Sequence, residues 1–112
     1  MWFIFPQVAG LGFSAMSQCY AIGSRAEAEA YLDHGVLGPR LVACTKLVLA
    51  IRDRTIHAIF GAPDDAKFRS SMTLFAAVSD EPVFGAALDR YFAGERDAAT
   101  LAILARLLPS GA

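Results

Sequence analysis

Val36-Leu37-Gly38-Pro39-Arg40-Leu41-Val42-Ala43-Cys44-Thr45-Lys46-Leu47-Val48-Leu49-Ala50-Ile51 is the stretch on which the fold turns. Leu37, Leu41, Cys44, Val48 and Ile51 advance by alternating steps of four and three, which is the spacing of one face of an α-helix. Val42, Leu47 and Leu49 spread the apolar surface around most of the circumference, so the reading makes this the central helix. Pro39 is tolerated only in the first turn, where its missing N–H would be unpaired anyway. The helix therefore starts between Val36 and Gly38.

Helix punctuation recurs on both sides. Ser14 precedes a short run to Ile22, with Gly23 placed to stop it. Ser24 and Glu27 have the spacing of a capping box, followed by an apolar face of Ala28, Tyr31 and Leu32 that ends near His34 and Gly35. Downstream, Thr55 caps a short helix through Phe60, stopped by Gly61. Pro63 suits a first helical position, and Asp64 and Asp65 oppose the positive end of the helix dipole. Phe68, Met72 and Phe75 form that helix's core stripe. Pro82 opens the next, with Phe84, Leu88 and Tyr91 inward and Gly94 at its C-terminus; Asp97 caps a last one carrying Leu101, Leu104 and Leu108. No alternation of polar and apolar residues lasts long enough to demand a strand. The expected architecture is all-α, a single domain over residues 1–112, built as a compact bundle or superhelical stack of about six or seven short helices.

Composition agrees. The chain has 112 residues, 55% of them hydrophobic and 19% charged, which fits one soluble globular domain. A net charge of −1 offers no basic footprint for nucleic acid. Cys19 and Cys44 are too few for a disulfide framework or a structural zinc site, and read as reduced apolar side chains. Met1-Trp2-Phe3-Ile4-Phe5 is greasy, but no Lys or Arg precedes it and Pro6 ends it. The apolar stretch that follows is interrupted by Gly10, Gly12, Ser14, Ser17 and Gln18, so neither a signal peptide nor a membrane span is expected, and the location is read as cytoplasmic.

Met1-Trp2-Phe3-Ile4-Phe5-Pro6-Gln7, Gly10-Leu11-Gly12 with Ser14, Leu37-Gly38-Pro39-Arg40-Leu41, Ile59-Phe60-Gly61, Pro63-Asp64-Asp65 and Lys67-Phe68-Arg69-Ser70-Ser71-Met72-Thr73-Leu74-Phe75 closely resemble, in this order, the domain-of-unknown-function family 1810. The resemblance spans essentially the whole chain. It implies a small, mainly helical bacterial protein with no established activity; a calpastatin label borne by some members carries no weight here. Two departures stand out. Family members open with an additional helix before the Trp-Phe-Ile-Phe-Pro-Gln block, so the chain is expected to lack an N-terminal helix, either as a truncated version or through a mis-assigned start at Met1. His34-Gly35 stands where the family commonly has His-Pro.

Two constellations are candidates for chemistry. At helical spacing Asp64, Lys67 and Ser71 share one face, with Ser70 and Thr73 on an adjacent one beside Ala66 and Ala77. A lysine flanked by hydroxyls near a helix N-terminus can hold a phosphate or carboxylate. The plainer alternative is a solvent-exposed Asp64–Lys67 pair, with small residues letting two helices approach. Gly61-Ala62-Pro63 is no Gly-rich phosphate loop. The second constellation, Trp2, Pro6 and Gln7 with Tyr20, can stack and hydrogen-bond a planar ligand such as a nucleobase, or can simply be core. His34 and His57 have no ligand-type partner at helical spacing, and Ser70 and Ser71 sit on no nucleophile elbow, so no metal, cofactor or catalytic residue is assigned.

The leading expectation is thus a helical binding or interaction module whose partner is an unidentified small anionic ligand or a protein. Its rival is an enzyme or sensor for an anionic, nucleotide-like molecule. Candidate ligand-binding residues are Trp2, Gln7, Tyr20, Asp65, Lys67, Ser71 and Thr73. Trp2, Phe3 and Phe5, if uncovered, form a patch through which the chain self-associates.

Overall fold

Ser24 opens the first helix in a computed structural model that describes residues 5–7 and 22–107. Its hydroxyl accepts the Glu27 N–H at 3.0 Å, and the Glu27 carboxylate takes the N–H of Gly23 at 2.9 Å, one residue earlier than a standard capping box. Helix α1 runs Arg25–Asp33. His34 ends it and prepares the next, because its Nδ1 accepts the N–H groups of Val36 and Leu37, both at 3.1 Å. Helix α2 spans Leu37–Ala50, with Pro39 in its first turn as expected.

Thr55 caps α3 (Ile56–Phe60) by accepting the Ala58 N–H at 3.1 Å, and Gly61 closes it with φ 72°, a conformation that favours glycine. Helix α4 spans Asp64–Val78. Pro63 lies just before it rather than inside its first turn, and the Pro63 carbonyl accepts the first helical hydrogen bonds, from Ala66 and Lys67. Helix α5 (Pro82–Phe92) begins on Pro82 and ends through Ala93 and Gly94, both at positive φ, where the Gly94 N–H reaches the Leu88 carbonyl at 3.0 Å. Asp97 caps α6 (Ala98–Leu107) by accepting the N–H and hydroxyl of Thr100. The fold is all-α, with six helices and no strand among the described residues. The segment read as a helix from Ser14 lies outside those residues except for Ile22, whose N–H donates to the Gln7 carbonyl at 2.7 Å.

The central helix is α4, not α2. It packs on α1, α3, α5 and α6, whereas α2 packs on α1 and α5 and leaves Leu47 68% exposed. Hydropathy underrates α4 because Ser70, Ser71 and Thr73 are buried along with Phe68, Met72, Leu74 and Phe75. A helical hydroxyl can satisfy itself on its own backbone: Ser70 donates to the Ala66 carbonyl and Thr73 to that of Arg69. Small hydroxyl residues then sit inside at little cost. Around α4 the core joins Phe68, Phe75 and Phe84 with Leu41, Met72 and Leu88, all fully buried. On α6 the inward residues are Thr100 and Leu104, flanked by Ile103, while Leu101 faces out; Leu108 lies outside the described residues.

Phe5 is also core. Its ring meets Phe68 edge-on at 4.9 Å and Phe60 at 6.1 Å, which removes it from any exposed aromatic patch.

Candidate functional site

The corner where α3 turns into α4 gathers most of the candidate side chains that the structure describes. The turn through Gly61 folds α3 back so that residues eight apart meet: His57 Nδ1 stands 3.1 Å from Asp65 Oδ2. A carboxylate only accepts, so this bond assigns the proton of the neutral imidazole to Nδ1 and leaves Nε2 as the open nitrogen. Asp65 Oδ1 accepts the Ala66 N–H at 2.8 Å. The imidazole hydrogen bond, reinforced by that of Ala66, holds the Asp65 carboxyl below the usual carboxylate range against a smaller opposing effect of burial.

Lys67 Nζ lies 3.5 Å from Asp64 Oδ1 across one turn of α4. A turn further along the same face, Ser71 is fully buried and its hydroxyl has no hydrogen-bond partner among the described residues. Ser70 and Thr73 return to carbonyls of the preceding turn; Ser71 does not. Such a group carries a desolvation cost of about 1–3 kcal/mol.

Thr73 belongs elsewhere. Its hydroxyl donates to the Arg69 carbonyl at 2.8 Å and accepts the Asp97 N–H at 2.9 Å, so it is a strut between α4 and the start of α6. Arg69, which sequence reasoning did not single out, completes that strut. Its Nε donates to the Glu95 carbonyl at 3.1 Å and its Nη2 to the Arg96 carbonyl at 3.2 Å, with the guanidinium 5.8 Å from the Phe92 ring centre. Nothing in local spacing announces a contact across 26 residues.

Gln7 is half-buried and its carbonyl anchors Ile22, while Phe5, two residues before it, packs on both α3 and α4. Trp2 and Tyr20 lie outside the described residues. Asp65 and Lys67 thus lie in the first turn of α4 and Ser71 one turn beyond Lys67, while Thr73 is tied to the start of α6. The His57–Asp65 pair was missed because its signal, a histidine and a carboxylate across a glycine-proline turn, is visible only once the turn direction is known.

Among the described residues no group of three His, Cys, Asp or Glu side chains could hold a metal ion. None of the described helices is long and apolar enough to cross a membrane.

A small all-α protein with a polar corner at the head of its central helix is the class this geometry defines. The chain belongs to the family described as protein of unknown function, DUF1810, whose model matches residues 1–104. It is similar to the conserved hypothetical protein Rv1873 from Mycobacterium tuberculosis, with 51% identity and a TM-score of 0.92 over 93% of this chain and 75% of that one. A comparison with curated proteins gives no match.

Proposed function

We propose that the chain is a binding module for a small anionic molecule, received on the Lys67–Ser71 face at the head of α4. The observation that carries this reading is the buried Ser71 hydroxyl, one turn from a lysine and without a hydrogen-bond partner among the described residues. A ligand acceptor at Ser71 relieves the orphaned donor, and Lys67 supplies the charge for a carboxylate or phosphate. Among the lysine's contacts is Asp64 Oδ1 at 3.5 Å, on a partly exposed carboxylate. Such a pair is worth about 1 kcal/mol or less, so an incoming anion competes with it. The second carboxylate at this helix head, Asp65, is occupied by His57. Because Ser71 is closed off from solvent, binding requires a local opening of its cover, which slows association.

A thermal-shift screen of the full chain against carboxylates, phosphorylated metabolites and nucleotides tests the proposal. A binding anion raises the Tm by several degrees, and Lys67→Ala abolishes the rise. Absence of any hit, or hits indifferent to Lys67→Ala, contradicts it.

A further inference from the structure

Away from the Lys67–Ser71 face, the loop between α2 and α3, the start of α3 and the last turn of α5 line an open cleft of about 410 Å³. That volume lies in the range of small-molecule sites, roughly 300–1,000 Å³. The geometry points to a binding site for a phosphorylated polyol, with Arg54 and Arg90 taking the phosphate and His57 taking a hydroxyl.

One wall is fixed before any ligand arrives. The Tyr91 hydroxyl lies 2.6 Å from the Val48 carbonyl and 3.2 Å from that of Ile51, so it closes the C-terminal end of α2. Arg90 Nη2 donates to the same Ile51 carbonyl at 2.9 Å, and its guanidinium stands 5.4 Å from the Tyr91 ring centre. These contacts orient the guanidinium while using one of its five N–H donors, and a planar fork held this way suits phosphate oxygens. Arg54 lines the cleft, is exposed and makes no ion pair among the described residues. Two arginines thus line one small space, a combination that favours a phosphate over a neutral ligand.

His57 defines the rest of the ligand. Its ring lines the cleft, and the Asp65 bond places its proton on Nδ1. When the ring is neutral its Nε2 is an acceptor, which suits a hydroxyl rather than a phosphate oxygen. The remaining charged group in the lining is the Asp53 carboxylate, in the loop at φ 60°; it disfavours a ligand carrying negative charge at both ends. One phosphate on a hydroxylated carbon chain satisfies all four groups.

Calorimetric titration of the full chain with inorganic phosphate, glycerol phosphate and glycerol tests the assignment, with amide NMR shifts locating the site. Glycerol phosphate is expected to bind more tightly than phosphate, and glycerol not measurably. Arg54→Ala, a change at an exposed side chain outside the core, should weaken both phosphates about tenfold or more. His57→Phe should erase the preference for glycerol phosphate over phosphate, and Lys46→Ala, which removes a cation outside the cleft, should leave both affinities in place. No saturable binding, an Arg54→Ala affinity equal to wild type, or equal losses from Lys46→Ala and Arg54→Ala overturns the proposal.

Discussion

At Gly38 a β-carbon would stand 1.9 Å from the Leu32 carbonyl oxygen, inside the contact that joins α1 to α2. Backbone cannot give way as a flexible side chain can, so Gly38→Ala forces the two helices apart. The expected loss is about 3 kcal/mol, the upper part of the range for overpacked sites, measured by urea denaturation. The Leu37-Gly38-Pro39 spacing is legible in the sequence as a helix start, but the glycine's reason is not, since Leu32 approaches only through the α1–α2 turn. Asp65 gives a pH prediction at the same scale. Its carboxyl titrates below the ordinary 3.8 in the folded chain, so the folded state binds fewer protons there than the unfolded one does. The stability it contributes is present above that ordinary value and is lost as the pH falls through the lowered one. Chemical denaturation of wild type against Asp65→Asn at a series of pH values should show the difference shrinking on the acid side and constant above it.

Most elements were legible from their ends, because caps are local chemistry: Ser24, Thr55, Pro82 and Asp97 each stand at or next to the boundary their side chains dictate. Their inward faces were less so. Helix α2 looks central by hydropathy, yet burial goes to α4, whose Ser70 and Thr73 hide their polarity on their own backbone. On α6, Thr100 is buried by bonding to Asp97, and this turns Leu101 outward against the apolar pattern. Contacts between elements then carry specific loads. Arg69→Ala removes the guanidinium that holds the Glu95 and Arg96 carbonyls, so amide exchange from Glu95 to Thr100 should accelerate while the α2 core stays protected. Tyr91→Phe leaves the ring in place and deletes the hydroxyl that closes α2; thermal unfolding should register a loss of about 1 kcal/mol.

For the molecule as a whole, what the sequence allowed was a face and what it withheld was a neighbourhood. Asp64, Lys67 and Ser71 could be placed together because helical spacing alone decides it. That Ser71 is sealed and has no hydrogen-bond partner among the described residues, that His57 crosses a turn to Asp65, and that Arg54 and Arg90 line one cleft from distant positions depend on how the helices pack. The account's central claim is that the Ser71 hydroxyl is retained for a ligand at the expense of stability. Paired thermal and urea unfolding of wild type and Ser71→Ala, with and without the anion that most stabilises the wild type, tests it directly. Without the anion, Ser71→Ala should be more stable by about 1 kcal/mol, since an unsatisfied buried donor is gone, and it should gain little when the anion is added. A variant that is less stable than wild type and responds to the anion in full would contradict the account.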